Sequence, residues 1–471
     1  MQELRQTLGI SFKDLELGVF QKMQETFCEV ICQVLAELDE AIFENREKGR
    51  YEVKDIRSGC VATLMGDVRY RRRYYLDKEK GKYVCLLDEA LGIEVGRVSP
   101  GLALAAAMQA VLGPSYRAAK ESLKRLYGHQ VVSHEAIRQL ILRLGELIDK
   151  EEEEKREKAQ GTKKVPVLFV EADGYWCSMQ RERKKSRETK MVVSHEGWRA
   201  RAPGSNEYEL LNKTHYLDLD SKDFWEEASR HLYSRYDIDE NVMVVINGDR
   251  ASWIRAGVDY FPKAIYQVDR FHVKRDLRRL LCETGELGVC LGAFDRNDID
   301  ALLRGLAGAR RKMEGNIDDL ARLAAIDDLA GSIKKMPEAY IDYRVRLKGL
   351  GYDTNEMRGM GSAESNVDKF SNRLKKRGQS WGVAGLKAMT CSLIKYFEGK
   401  LDRYSQHVSR VHELLDSTKI TKKASAVAHQ VAEGITGVTK AKTPVMQAGT
   451  TASGGLSRLF NNIANQGIPV T

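Results

Sequence analysis

The sequence is poor in the features that mark disordered, secreted or membrane-spanning proteins. Its 471 residues include only 8 prolines, which argues against a largely disordered chain. Its 8 cysteines are scattered and form no Cys-x-x-Cys pair, so a zinc ribbon is not expected and a reducing compartment is the natural one. The longest apolar run, near Leu102–Leu112, is too short and too rich in alanine to span a bilayer. The polar N-terminus carries no signal-peptide pattern, so we expect a cytoplasmic protein without membrane association.

The remaining composition is that of a soluble globular protein with a basic excess. Hydrophobic residues make up 42% of the chain and charged residues 30%. Lys and Arg number 76 against 67 Asp and Glu, which gives a net charge of +9. This excess is too small to prove a nucleic-acid partner, so the local clustering of basic residues carries more weight.

The stretch Val165–Val170 is an apolar run that leads into Glu171 and Asp173. This pattern indicates a buried strand that carries an acid to the edge of a sheet. Side chains alternate along a strand, so both acids point to one face and Glu171 remains an alternative to Asp173. We favour Asp173 because Gly174, beside it, lets the backbone approach a substrate.

Two further stretches place acids where they can meet the first. Asn241–Ile246 runs apolar into Asp249, and a basic helix opens at Gly361 with Glu364 in its first turn. The elements follow the order of a ribonuclease H-like α/β fold, with a strand meander and then helix, strand, helix, strand and helix. The first and fourth strands of such a sheet are neighbours, so we expect Asp173 and Asp249 side by side.

The predicted boundaries divide this core and its surroundings into regions. After the strand that ends at Asp173, candidate strands follow at Tyr175–Gln180, Thr189–His195, Leu211–Leu217 and Ala264–Val268. A long structureless loop between Asp249 and Glu364 is implausible in a compact domain, and that segment shows helical stripes. We therefore predict an α/β ribonuclease H-like catalytic core with an all-α insertion, preceded by an α-rich N-terminal DNA-binding region with a β-hairpin. The regions are 1–98 (N-terminal helix and basic hairpin), 99–160 (helix-turn-helix-like), 161–283 (first part of the core), 284–360 (insertion), 361–402 (final core helices) and 403–471 (a weakly structured tail with one short helix near Leu456–Ile463).

The N-terminal regions contain candidate DNA-binding elements. Phe12–Asn45 has the period of a long amphipathic helix that packs on its neighbours or dimerises. Strands around a Gly-Asp turn carry a ribbon of arginines and tyrosines that includes Arg71, Arg72 and Arg73. These side chains suit DNA-backbone contacts, although a solvated hairpin face gives the same pattern. The three helices within 99–148 outline a helix-turn-helix, an outline that any helical hairpin shares.

The three acids suit metal-dependent phosphoryl transfer. Mg²⁺ and similar hard cations take carboxylate oxygens, substrate phosphate and water as ligands. Two such ions about 3.5–4 Å apart activate the attacking hydroxyl and stabilise the leaving oxygen. Asp173, Asp249 and Glu364 are therefore our candidate ligands for two Mg²⁺ or Mn²⁺ ions.

Further candidates surround these acids. Asp269 and His272, three residues apart at a strand-to-helix junction, can point into one crevice, although a helix cap with a packed histidine gives the same spacing. Nearby basic side chains could neutralise DNA phosphates. They are Lys274 and Arg275 on the following helix and Lys369, Arg373 and Lys376 on the helix of Glu364.

Four motifs together resemble the ISLre-type bacterial insertion-sequence transposases, which are similar to the wider mutator-like group of DDE transposases. The motifs are Val-Glu-Ala-Asp173-Gly, Asn-Gly-Asp249-Arg-Ala-Ser-Trp253-Ile, Asp269-Arg-Phe-His272, and Glu364-Ser-Asn366 with Arg-Leu-Lys-Lys-Arg377-Gly-Gln-Ser-Trp381. The resemblance implies a catalytic triad of Asp173, Asp249 and Glu364, with Mg²⁺ or Mn²⁺ as cofactor. It implies that Asp269 and His272 organise the active site or contact the DNA end.

The implied activity is DNA cleavage and strand transfer at the ends of a mobile element. The expected partners are double-stranded DNA, as terminal inverted repeats and as target, and further copies of the chain in a homodimer or higher oligomer on DNA. The expected location is the cytoplasm of a bacterium, associated with the nucleoid. Two alternatives remain: a structure-specific nuclease on the same fold, and a non-catalytic DNA-binding regulator derived from a transposase.

Overall fold

The computed structural model describes residues 11–93, 98–158, 160–219, 223–314 and 320–406. The chain divides into two compact units, Met1–Leu140 with Leu401–Thr471, and Ile141–Lys400. Beyond residue 406, the predicted tail and its short helix near Leu456–Ile463 lie outside the described residues. None of the helices in the described ranges is both long and apolar enough to cross a membrane.

The first unit begins with the long helix that the apolar period predicts, α1 at Phe12–Asn45. The Ser11 hydroxyl accepts a hydrogen bond from the Asp14 N–H at 3.2 Å, and the Asp14 carboxylate accepts one from the Ser11 N–H at 3.0 Å. This reciprocal pair satisfies two of the N–H groups that a helix start leaves unpaired. Apolar side chains near the end of α1, among them Leu35 and Leu38, are buried in the core of this unit.

The predicted hairpin is present as a three-stranded antiparallel sheet. Its strands are Tyr51–Ala62 (β1), Asp67–Asp77 (β2) and Lys82–Val84 (β3), in the order β1-β2-β3. Side chains alternate along β2, so that Val68, Tyr70 and Arg72 are buried while Arg69 and Arg71 are exposed. The ribbon of arginines is therefore split between a buried and an exposed face.

Short helices complete the first unit. They are Leu86–Leu91 (α2), Pro100–Leu112 (α3), Tyr116–Tyr127 (α4), the start of His134–Lys158 (α5) and, near the end of the described chain, Leu401–Gln406, which is numbered α15 in chain order. Ser99, Ser115 and Ser133 each accept a hydrogen bond from a backbone N–H of the helix that follows. Helix α5 continues through a charged segment to Lys158, and the two units divide within it.

A five-stranded mixed sheet is the centre of the second unit. Its strands are Val167–Ser178 (β4), Ser186–His195 (β5), Thr214–Leu219 (β8), Met243–Gly248 (β9) and Ala264–Val268 (β10), with a separate small hairpin of Trp198–Ala200 (β6) and Tyr208–Leu210 (β7). The order is β10-β9-β4-β5-β8, with β4 parallel to β9 and antiparallel to β5. The predicted adjacency of the first and fourth strands of the core is therefore confirmed.

The first core strand differs from its prediction. The sequence analysis divides it into a strand that ends at Asp173 and a second strand at Tyr175–Gln180, but β4 is continuous through both. Gly174 pairs in register with Lys190 of β5 and makes no turn. The physical reason is that antiparallel pairing with β5 continues past Asp173, whereas the parallel pairing with β9 stops at Ala172. Asp173 is thus inside a strand, at the end of its parallel portion.

The sheet is covered by helices on both faces. One face of β4, with Leu168 and Val170, belongs to the large core that the helices of the unit share. The other face, with Val167 and Phe169, packs against Tyr343. Glu171 and Asp173 follow by alternation on this second face.

The helices of the second unit include the predicted all-helical insertion. The α-helices are Phe224–Tyr233 (α6), Ser252–Arg255 (α7), Arg270–Leu281 (α8), Leu287–Asp295 (α9), Ile299–Met313 (α10), Leu320–Lys335 (α11), Tyr343–Gly349 (α12), Ser362–Leu374 (α13) and Val383–Phe397 (α14), with 3-10 turns at Ala256–Tyr260 and Pro337–Tyr340. Helices α9 to α12 lie between the strand that leads to Asp249 and the helix that carries Glu364, as the sequence predicts.

Candidate active site

Parallel pairing brings the two strand-borne aspartates together. The register of β4 and β9 ends with Ala172 opposite Gly248, so the next residues are Asp173 on β4 and Asp249 directly after β9. Neighbouring strands lie about 4.8 Å apart. Gly248 permits this approach, because a Cβ there would lie 2.5 Å from the Ala172 carbonyl oxygen and 2.8 Å from Ile254.

Each aspartate keeps one oxygen without a hydrogen-bond partner among the described residues. Asp173 accepts a hydrogen bond from the Gly174 N–H at 2.7 Å, and Asp249 accepts one from the Ala251 N–H at 2.9 Å, in each case through Oδ1. Burial raises the pKa of Asp173 to about 6, and the neighbouring charge of Asp249 adds to the rise. The two carboxylates therefore repel one another at a partly buried edge of the sheet.

The Asp269 and His272 pair lies next to these aspartates. Asp269 caps α8, where its Oδ1 accepts hydrogen bonds from the His272 N–H at 2.9 Å and interacts with the ring Nδ1 at 3.0 Å. Its Oδ2 accepts a hydrogen bond from the Asn247 side chain at 2.9 Å. Burial alone would raise the pKa of Asp269, but these hydrogen bonds outweigh it and hold the pKa below its usual value. The bond to Asp269 raises the pKa of His272, and the charge of Asp173 contributes to that rise.

Glu171 holds the helix that carries Glu364. Its side chain is fully buried and accepts hydrogen bonds from the Gly361 N–H at 2.9 Å, the Ser362 hydroxyl at 2.6 Å and the Ala363 N–H at 3.1 Å. A buried carboxylate at a helix N-terminus satisfies its free N–H groups and faces the positive end of the helix dipole. The sequence alone indicates Glu171 only as an alternative ligand, because this contact joins residues 190 positions apart.

Glu364 lies at the same edge but away from the aspartates. Its carboxylate is 3.9 Å from the Arg275 guanidinium of α8, and its side chain is 46% exposed. A Cβ on Gly361, just before α13, would lie 3.8 Å from the Asp269 carboxylate, which shows how closely α13 approaches this edge. Within the described ranges, no three His, Cys, Asp or Glu side chains are close enough together to hold a metal ion.

The last motif connects α13 to the sheet. The backbone of Trp381 exchanges hydrogen bonds with β4 and the turn after it, donating to Ser178 and accepting from Gln180. Its indole N–H donates to the Leu374 carbonyl at the end of α13, at 2.8 Å. Trp381 therefore anchors the C-terminal end of the helix whose N-terminal end Glu171 caps.

The structure corrects part of the predicted DNA-binding set. Arg72 is buried and pairs with Asp88 at 2.7 Å, and Arg73 pairs with Asp39 at 2.7 Å. In the second unit, Arg373 is buried and its guanidinium lies over the Trp381 ring. Arg72 and Arg373 are therefore packed within the fold, and Arg73 is partly buried and held by an acid of α1.

The other predicted basic side chains are at least partly exposed. Lys274 pairs with Asp295 at 2.5 Å, and Lys376 pairs with Asp368 at 2.7 Å. Arg71, Arg275 and Lys369 are exposed. Exposure leaves these five able to reach a ligand, and their contact with DNA stays a prediction.

Comparison with known proteins gives relatives but no assigned activity. "UPF0236 protein in vanSb 3'region" of Streptococcus gallolyticus is 26% identical over 408 residues, which are 83% of this chain and 84% of the relative. "UPF0236 protein TTE2489" of Caldanaerobacter subterraneus subsp. tengcongensis is 24% identical over 387 residues, 81% of this chain and 78% of the relative. A further relative in that organism, 24% identical over 388 residues (81% of this chain and 77% of the relative), has a name that joins eleven designations, from TTE0033 to TTE2212.

One solved structure and one family profile complete the comparison. The "Drosophila P element transposase strand transfer complex" aligns with 78% of this chain and 92% of that chain at 11% identity, with a TM-score of 0.21. Similarity at that level does not establish a common fold. The profile "Uncharacterised protein family (UPF0236)" matches residues 5–411. The chain therefore belongs to the UPF0236 family.

Proposed function

We propose that this protein is a DNA transposase that cuts DNA at the ends of an insertion-sequence element and joins those ends to target DNA. The observation that carries the proposal is the edge of the central sheet. There the parallel pairing of β4 and β9 places Asp173 beside Asp249, and buried Glu171 holds the helix of Glu364 against the same strand. Three carboxylates distant in sequence thus share one edge.

The strand order supports a ribonuclease H-like core. Three antiparallel strands, β4, β5 and β8, are followed by β9 and β10, which lie on the other side of β4 and parallel to it. This is the order expected of that fold from the sequence. The helical insertion between the second and third acids agrees with the resemblance to DDE transposases.

The donor groups suit hard divalent cations. Asp173 and Asp249 each present a carboxylate oxygen that is free of hydrogen bonds within the described chain, and oxygen is the ligand that Mg²⁺ and Mn²⁺ prefer. These two residues would hold the ions, and Glu364, which lies at the same edge but away from the aspartates, is the third proposed ligand. When bound, such ions activate the attacking hydroxyl and neutralise charge on the phosphate.

The remaining residues of the edge position these groups. Asn247 and His272 fix the Asp269 carboxylate, which starts α8 beside the aspartates. Arg275 of the same helix faces Glu364 and supplies a positive charge where DNA phosphates would pass. Catalysis then consists of positioning and charge neutralisation, and no covalent protein intermediate is needed.

The names of the relatives fit a mobile gene. Two relatives in one organism are named under four and eleven designations. Several designations for one protein are what repeated copies of an element in a genome would produce. We expect inverted repeats in the DNA on both sides of this gene. That flanking DNA therefore supplies the substrate for the test.

The test uses the full chain and labelled DNA that carries these ends. We expect the wild type to nick the ends and join them to a second DNA in Mg²⁺, and Asp249→Ala to lose both reactions while it still binds DNA. Asp259→Ala is a matched control, because Asp259 is an exposed acid outside the site. Nicking without joining would instead support a nuclease, and binding without nicking a regulator. Full activity of Asp249→Ala would overturn the proposed site.

A further inference from the structure

A cavity lies along the helix of Glu364. It has a volume of 570 Å³ and is bounded by the small β6–β7 hairpin, the segment before α13 and α13 itself. The α13 residues that line it are Ser362, Ser365, Asn366 and Lys369. This spacing of three, one and three describes one face of a helix, and Glu364 is on another. The cavity is therefore separate from the edge that holds the acids, although both use α13.

The cavity contains an excess of positive charge. Arg201 in its lining pairs with Glu207 at 3.1 Å, and Glu209 pairs with Arg199, so these charges cancel. Three further lining cations are Lys213, Arg358 and Lys369. Among the described residues, no carboxylate lies within 4.0 Å of any of these three groups. Most arginines around the site pair with acids, so the three cations are available for an anion from outside.

These cations are positioned by the fold. The Lys213 ammonium donates a hydrogen bond to Oδ1 of Asn366 at 3.2 Å, and the ring Nε2 of His215 lies 3.2 Å from the same oxygen. Asn366 is 2% exposed and donates to the Ser362 carbonyl, so its orientation is set by burial and hydrogen bonds. The guanidinium of Arg358 lies 3.2 Å above the Tyr208 ring.

The arrangement is unfavourable without a ligand. Burial lowers the pKa of Lys213, and the charge of Lys369 lowers it further. Like charges held together without a counter-charge destabilise the folded protein unless an anion offsets them. A phosphodiester suits the three cations, since arginine binds phosphate through a planar fork and lysine as a point charge. The volume is within the range of sites that bind small ligands.

We propose that this cavity, with Lys213, Arg358 and Lys369, binds a backbone phosphate of DNA beside the segment that reaches the acidic edge. The inference rests on the proposed function for the identity of the ligand. The contact reads the backbone and not the bases, so it is independent of sequence. Helix α13 would then contribute to both the acidic edge, where the DNA strand reacts, and the cavity, where a phosphate is bound.

The test measures the salt dependence of binding by the full chain to a duplex of arbitrary sequence, in EDTA so that no cleavage occurs. Each phosphate that the protein neutralises contributes about 0.9 to the slope of log K against log salt concentration. Because the three cations share one phosphate, we expect K213Q/R358Q/K369Q to reduce that slope by about 0.9 and to bind at least tenfold more weakly. Lys348→Gln, an exposed lysine outside the cavity, is the control with an expected loss near zero.

Two arms keep the inference falsifiable. R358Q/K369Q changes only exposed side chains and should show most of the same loss of slope, so misfolding cannot explain it. A wild-type slope in both variants would overturn the proposal that the cavity binds DNA, even if the protein nicks DNA. If the variants lose slope but the wild-type protein never nicks DNA, the result supports phosphate binding in the cavity and contradicts the proposed transposase activity. Inorganic pyrophosphate that saturates the cavity at micromolar concentration while the DNA slope stays unchanged would assign it to a free phosphate ligand, against our inference.

Discussion

Glu171 and Asp173 lie two positions apart on one face of β4, and their surroundings give them different roles. Glu171 is fully buried, and both of its oxygens accept hydrogen bonds from the N–H and hydroxyl groups at the start of α13. Asp173 is partly exposed and keeps one oxygen free among the described residues. Hydrogen-bond capacity therefore separates a positioning residue from a proposed ligand, although alternation alone makes the two equivalent.

Replacement of Glu171 by Gln should weaken the fold and the site together. The amide keeps the shape, and its NH₂ group can donate to the Ser362 hydroxyl, but it removes the negative charge that faces the positive end of the helix dipole. We expect the free energy of unfolding to fall by roughly 1–3 kcal/mol and DNA nicking to fall at least tenfold. Denaturant titration and a nicking assay measure the two effects. Wild-type stability in Glu171→Gln would contradict the capping role.

Replacement of Asp173 by Asn should stabilise the metal-free protein at neutral pH. The pKa of Asp173 is raised from 3.8 to about 6, so the folded state keeps its proton to higher pH than the unfolded state does. Its contribution to stability is complete below about pH 4 and is lost as the pH rises through about 6. Asn cannot ionise, so the variant should gain roughly 2 kcal/mol at pH 7.5 and almost nothing at pH 4.

Unfolding titrations in EDTA at these two pH values test the prediction for Asp173→Asn. Asp259→Asn provides the control, since it removes an exposed acid outside the site. An Asp173→Asn variant that is less stable than the wild type at pH 7.5 would show that ionised Asp173 does not destabilise the folded protein.

At the scale of elements, α13 is fixed at both ends by residues far from it in sequence. Glu171 of β4 receives its first N–H groups, and the indole of Trp381 donates to the Leu374 carbonyl at its end. The backbone of Trp381 also pairs with Ser178 and Gln180. The orientation of both faces of α13, one toward the acids and one toward the basic cavity, depends on these two attachments.

Trp381→Phe should loosen only one of them. Phenylalanine keeps the aromatic ring beneath Arg373 and the backbone pairing but has no N–H to donate to Leu374. We expect the free energy of unfolding to fall by about 1 kcal/mol and the last turn of α13 to exchange its amide hydrogens faster. Hydrogen exchange followed by mass spectrometry resolves this helix. Faster exchange at the first turn instead, with the last turn unchanged, would contradict the proposed anchor.

At the scale of the whole molecule, binding of the proposed ions at the edge of the sheet should stabilise the folded protein. A ligand that binds only the folded state stabilises it by about 1.4 kcal/mol at ten times its Kd. We expect Mg²⁺ to raise the unfolding temperature of the wild type by a few degrees and EDTA to reverse the change. Asp249→Asn should lose this response, and thermal scans with Ca²⁺ and Mg²⁺ measure it. An equal response in Asp249→Asn would place the ions elsewhere.

Local pattern was sufficient to predict most elements. The period of apolar residues predicted α1 at its observed bounds, and a short apolar run predicted β10 at Ala264–Val268. The order of strands and helices predicted that β4 and β9 are neighbours. These features depend on the alternation of side chains along one element and on the usual connections between consecutive elements, both of which a sequence displays directly.

What a side chain contacts was decided by the tertiary structure. The sequence indicates Arg72, Arg73 and Arg373 as candidates for DNA contact, but each has a partner within the fold, and Arg72 and Arg373 are also buried. It offered Glu171 as a ligand, and folding brought a helix start from 190 positions away to its oxygens. Charge and spacing are properties of the chain, but burial and hydrogen-bond partners arise only when distant elements pack. For that reason the sequence alone could indicate the acidic edge, while the basic cavity on the other face of α13 emerged from the fold.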